Sequence, residues 1–190
     1  GGALADFVRD SAQLQDEPYL ADVAAAEWAL HTCATAPDAP GDAQPDVASF
    51  ALLAEHDPGA LALQLASGVA VVFSAWPVAD IVLAHQALDA NAGSTERPTL
   101  AQAGQKLRDH VAQAAVVWRE HLAPRLRLAL PGEAALLHAL LQGQSLGDAL
   151  ETSPALDFGT WFPIAVQTGL VLGATLRVPP ATEDGSRSSF

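Results

Sequence analysis

VVWREHLAPRLRLAL, residues 116–130, decides the architecture, because apolar and charged side chains alternate along both of its halves. Val117 and Arg119 point one way and Val116, Trp118 and Glu120 the other, while Leu126, Leu128 and Leu130 alternate with Arg125 and Arg127. A period of two belongs to an extended strand, and HLAP at 121–124 supplies the bend. The stretch reads as a β-hairpin with one polar face. Arg125 and Arg127 share a side of one strand, and Arg119 joins them if the register brings it across. Such a face is either solvated decoration or a recognition surface. In the second case Arg119, Arg125, Arg127 and the neighbouring Trp118 would hold carboxylates of a peptide or partner, and the strand edge would accept another extended chain.

Working outward, Leu61, Leu63 and Leu65 alternate, as do Val69, Val71 and Phe73, on either side of Ser67-Gly68. That spacing predicts a second hairpin with a two-residue turn. Helices surround these strands. Pro18 opens one over 19–35, and Pro77 opens another that runs through Ile81 and Leu83 to about residue 88. A short helix ends near His110. Pro131 and Glu133 open a helix that Gly143 stops, and Ser145 caps the next, which carries Asp148 in its first turn. Residues 158–176 are apolar nearly all round and read as one last core helix; Pro163, Gln167 and Thr168 within it, and the lack of a flanking basic cluster, argue against a membrane span. Prolines and a glycine make 36–46 a loop, 91–99 is polar linker, and 179–190 reads as a disordered tail. The expected class is α+β, mostly helical, with an antiparallel sheet built from two β-hairpins. Residues 1–17 read as a remnant or the end of an N-terminal helical region, and 18–178 as a single domain of one or two lobes.

The first long helix, YLADVAAAEWALHTCAT, sets an ionisable pair within an apolar stripe. At about 100° per residue, Leu20, Val23, Ala24, Glu27, Leu30 and His31 share one side. Glu27 and His31 are therefore expected as buried, hydrogen-bonded structural groups, because an unpartnered buried carboxylate is costly.

Composition narrows the function. Nine Lys and Arg stand against twenty-two Asp and Glu, a formal net charge of −13. Nucleic-acid binding relies on cations that neutralise phosphates, so this balance argues against it. Five Arg do fall between Arg97 and Arg127, which leaves a local patch open, and the helical pair at 133–151 has a helix-turn-helix spacing. Its second helix carries Asp148 and Glu151 and no cation, the wrong sign for a recognition helix. The lone Cys33 forms no internal disulfide, and no charged and apolar leader opens the chain, so a reducing, cytoplasmic setting is the expectation. Six scattered His show no zinc spacing, and no GxSxG, phosphate-loop or dinucleotide motif occurs. Neither catalytic residues nor metal ligands are assigned.

PYLADVAAAEWA at 18–29 resembles the HvfC/BufC family, whose members often carry a DNA-binding label, and the likeness continues in order. It runs through LALQLASGVAVVFSAWPVADIVLAHQ at 61–86, AVVWRE at 115–120, AALLHALLQGQSLGDALE at 134–151 and FGTWFPIAVQTGLVLGA at 158–174. The resemblance implies an accessory subunit of a multinuclear iron-dependent oxidative enzyme, as in bufferin and methanobactin pathways. By that resemblance it helps the enzyme hold a Cys-containing ribosomal precursor peptide. The iron belongs to the partner, and this chain needs no cofactor of its own. The alternative is a DNA-binding transcriptional regulator. The family's N-terminal helical domain is expected to be largely missing from this sequence, with at most its final helix within residues 3–15, either because the sequence was cut there or because this is a short version like the methanobactin-pathway partner.

Overall fold

The computed structural model describes residues 2–37, 44–89, 97–121 and 123–177. At its centre, β3 (Gln113–Glu120) and β4 (Ala123–Leu128) run antiparallel, with Trp118 opposite Arg125 and Val116 opposite Arg127. His121 turns the chain there at φ 58°. β2 (Ala70–Ser74) joins the far side of β3, so the order is β2-β3-β4. The alternation at 116–130 thus formed the expected hairpin.

The alternation at 61–73 did not. β1 (Leu61–Leu65) pairs antiparallel with β5 (Val171–Leu176) in a separate two-stranded sheet. Gly68 does turn the chain, at φ +80°, but a Cβ there would lie 2.9 Å from the Cα of Cys33, so the turn is pressed against a helix. Alternation reports which side chains share a face; it is silent on which strand lies alongside.

β5 occupies what read as the second half of a helix over 158–176. α8 (Phe158–Gln167) stops because Gly169 takes φ +73°: its N–H donates to Val166 O at 3.1 Å and the Leu170 N–H to Ala165 O at 2.8 Å. That is the Schellman ending. The chain then leaves as an extended strand.

The remaining helices begin and end where their punctuation placed them. α2 (Tyr19–Thr35) follows Pro18, and α4 (Val78–Asp89) follows Pro77. Thr99 and Gln102 close a capping box on α5 (Leu100–Arg108). α6 (Glu133–Leu141) ends in the same Schellman pattern at Gly143, and the Ser145 hydroxyl accepts the Asp148 N–H at 3.0 Å to start α7 (Leu146–Glu151). α1 (Gly2–Asp10) packs on α2, and α3 (Leu52–Glu55) is a single turn before β1. The class is α+β and mostly helical. No described helix is long and apolar enough to cross a membrane. The tail reading at 179–190 lies outside the described residues.

Both faces of the three-stranded sheet are covered. On one, Ala115, Val117 and Leu126 meet α2 and α4 through Ala26, Cys33, Val78 and Val82. On the other, Val116 and Trp118 meet Leu136 and Leu137 of α6, Trp161 of α8, and the β1–β5 pair. The hairpin therefore has no continuous polar face: Arg125 stays exposed on the rim, and Arg127 reaches inward beneath α6.

Candidate functional site

The hairpin arginines part company. Arg125 and Arg127 lie on the α6 side, opposite Trp118 and Val116, whereas Arg119 pairs with Pro124 and belongs to the other face. A directly opposed pair shares a face, and this register excludes a three-arginine cluster. Arg125 donates to Glu120 at 2.9 Å on the exposed rim. Arg119 donates to the Ala36 carbonyl at 3.0 Å and lines, with His121 and Thr168, a small cavity of about 120 Å³ beside the end of α8.

Arg127 takes the inward role. Its two terminal nitrogens donate to Glu133 Oε2 and Oε1 at 2.5 and 2.6 Å, and its guanidinium lies 5.4 Å from the Trp118 ring centroid. Glu133, the first residue of α6, has no exposed surface and also accepts the Leu130 N–H at 2.9 Å and the Trp161 Nε1–H at 2.7 Å. Burial alone would push this carboxyl up. The donors from Arg127, Leu130 and Trp161 and the guanidinium charge outweigh it and hold the group below its ordinary value. One carboxylate thus ties β4, α6 and α8 together. Every lone pair it offers is spoken for, which makes it a structural anchor and not a free acid or base.

This is the buried acid that the sequence reading sought in α2. Glu27 and His31 are instead exposed, the latter beside the exposed Trp28 ring at 5.2 Å. The helix presents Ala26, Ala29, Leu30 and Cys33 to the sheet, about one residue's rotation away from the expected stripe. Alanine and cysteine carry little hydrophobic signal, yet their small size lets α2 approach closely; the Leu and Val positions pulled the reading towards Glu27. For Glu133 the signals were an acid in a first helical turn after Pro131-Gly132 and an alternating Arg six residues earlier.

Rotation of α2 leaves Glu27 on the wall of a groove. Val23 and Glu27 of α2, Ile81 and His85 of α4, and Gly104 and Leu107 of α5 line a cavity of about 440 Å³. Small residues make it: Ala103 is buried on the floor, and a Cβ on Gly104 would meet nothing nearer than an Arg108 nitrogen at 3.7 Å. Glu27 has no hydrogen-bond or ion-pair partner among the described residues. At one end the Tyr19 hydroxyl is pushed up by burial and by the charge and hydrogen bond of Glu17. Asp80 of α4 is buried and held by Lys106 and by Gln113 Nε2 at 2.8 Å, which fixes α5 to α4 and β3. An apolar concavity with a few polar groups at its lip has the character of a binding site.

No protein-family model, no curated protein and no solved structure matches the chain. Chemistry on the described residues stays sparse. They gather no group of three or more His, Cys, Asp or Glu suited to a metal ion. Cys33 is buried, and burial pushes its thiol up against the opposing pull of Arg119, so the thiolate that would react is disfavoured. α7, the second helix of the helix-turn-helix-like segment, packs Gly147 so closely that a Cβ would lie 2.9 Å from the Gly59 nitrogen.

Proposed function

We propose that the chain is a non-catalytic binding subunit, which docks through the α2–α4–α5 groove onto a multinuclear iron-dependent oxidative enzyme and helps it hold a Cys-containing precursor peptide. The groove is the observation that carries the binding role: it is lined by apolar side chains together with Tyr19, Glu27 and His85, is built on helices α4 and α5 fixed by the Asp80 network, and bears an unpaired carboxylate. A complementary surface would insert apolar side chains and set a Lys or Arg against Glu27. The class of partner rests on the HvfC/BufC resemblance, and the iron sits in that partner.

Gly104→Phe tests the reading, because the open space above Gly104 lets the ring fill the groove without displacing backbone. Co-expression with a multinuclear iron-dependent enzyme of the kind the resemblance implies should yield a complex with wild type and with Gly104→Ala, and at least a tenfold weaker one with Gly104→Phe. Circular dichroism should be the same for all three. Undiminished association of a folded Gly104→Phe would contradict the groove as the docking site.

A further inference from the structure

We infer that the outer edge of β2 is a self-pairing surface, through which two copies of this chain join their sheets about a twofold axis. The strand order leaves β2 on the rim. The Ala129 N–H donates to Ala114 O at 2.8 Å, which continues the β3–β4 register and makes 114, 116, 118 and 120 the residues hydrogen-bonded to β4. The intervening residues of β3 then bond to Ala70, Val72 and Ser74, so the N–H and C=O groups of Val71 and Phe73 point outward. Among the described residues no further hydrogen bond reaches them.

The two rims of this sheet differ. β4 is blunted by Pro124 and by Arg125, devices that discourage pairing. β2 reads AVVFS, without a charge, a proline or a bulge. None of its five residues is buried, and Phe73 is 55% exposed, with the His138 ring meeting it edge-on at 5.6 Å between centroids. The chain carries a net charge of −13, to which β2 itself adds nothing; the Asp22 carboxylate at its end accepts from the Ser74 hydroxyl at 2.6 Å.

Self-pairing also satisfies the geometry. An antiparallel β2–β2 contact centred on Val72 sets Val71 of one copy opposite Phe73 of the other, so the four outward groups of each strand meet their complements. Phe73 then packs beside Val71 of the second copy on the α6 side, and the two Val72 residues face each other as a non-hydrogen-bonded pair.

Light scattering on a sizing column should give about twice the 19.6 kDa chain mass for wild type and the single-chain mass for Phe73→Lys, whose mostly exposed position spares the fold. In a Cys33→Ala background, Val72→Cys should form a covalent dimer under mild oxidation, since the facing Cβ atoms of a non-hydrogen-bonded pair suit a disulfide. Adding Phe73→Lys should abolish that band. A wild type that stays at single-chain mass, a dimer that Phe73→Lys leaves intact, or Val72→Cys that does not cross-link overturns the inference.

Discussion

Glu133→Ala removes a carboxylate with no exposed surface that accepts four N–H donors, two from Arg127 and one each from Leu130 and Trp161. Breaking a buried pair from one side costs about 3–5 kcal/mol, and each orphaned neutral donor that stays dry costs about 1–3 kcal/mol. The parts do not add, because the Arg127 side chain is 33% exposed and can turn to water, which discounts its share. The expected loss is therefore about 3–5 kcal/mol, a large fraction of the roughly 5–15 kcal/mol that holds a typical domain. Urea titration should show the midpoint falling at unchanged slope, and the melting temperature dropping by roughly 6–20 °C. Arg127→Met with Glu133→Leu should recover only the share due to the unpaired guanidinium, since the Leu130 and Trp161 N–H groups stay without their acceptor. A loss under about 1 kcal/mol for Glu133→Ala would refute the anchor role.

Acidification reads the same group: its folded value lies below the ordinary one of 4.5, so its contribution is complete above that value and is lost as pH falls through the folded value. The acid slope of wild-type stability should flatten in Glu133→Gln, and an unchanged slope would assign acid sensitivity elsewhere. Gly132→Ala should destabilise more than Gly143→Ala: both sit at positive φ, but only at Gly132 would a Cβ meet backbone, the Leu156 nitrogen at 2.7 Å. Equal melting temperatures for the two variants would contradict the packing at 132. Glu27→Ala should alter stability by less than about 0.5 kcal/mol, as for any exposed, unpaired side chain; a larger loss would place Glu27 in the core after all. Fluorescence titration at low salt, where phosphate attraction is strongest, should find no salt-sensitive duplex DNA binding, and saturable binding there would revive the regulator reading.

Local punctuation was legible because its chemistry is local. Pro18, Pro77, Gly143 and Ser145 act on backbone groups within a turn of themselves, and each stands at the boundary it marks. The hairpin at 113–128 was legible for the same reason, its two strands being joined by the turn that pairs them. Pairing of β1 with β5 joins segments over a hundred residues apart, and nothing near Leu61 announces Val171. Gly169 did announce the end of α8, but apolar neighbours on both sides drowned it. At the candidate site, the rotation of α2 depends on close approach by Ala26, Ala29 and Cys33, a steric preference that hydropathy does not register. Glu27 and His31 came out of the core on that account, and Arg119 left the arginine cluster because a register, not a composition, sets its face.

Amide hydrogen exchange, compared between the chain alone and its complex with the co-expressed iron-dependent enzyme, tests the docking role most directly. Protection should rise along residues 19–27, 81–85 and 100–107, the three walls of the groove, and Gly104→Phe should remove that rise. Protection confined to other segments, with those walls exchanging as in the free chain, would contradict it.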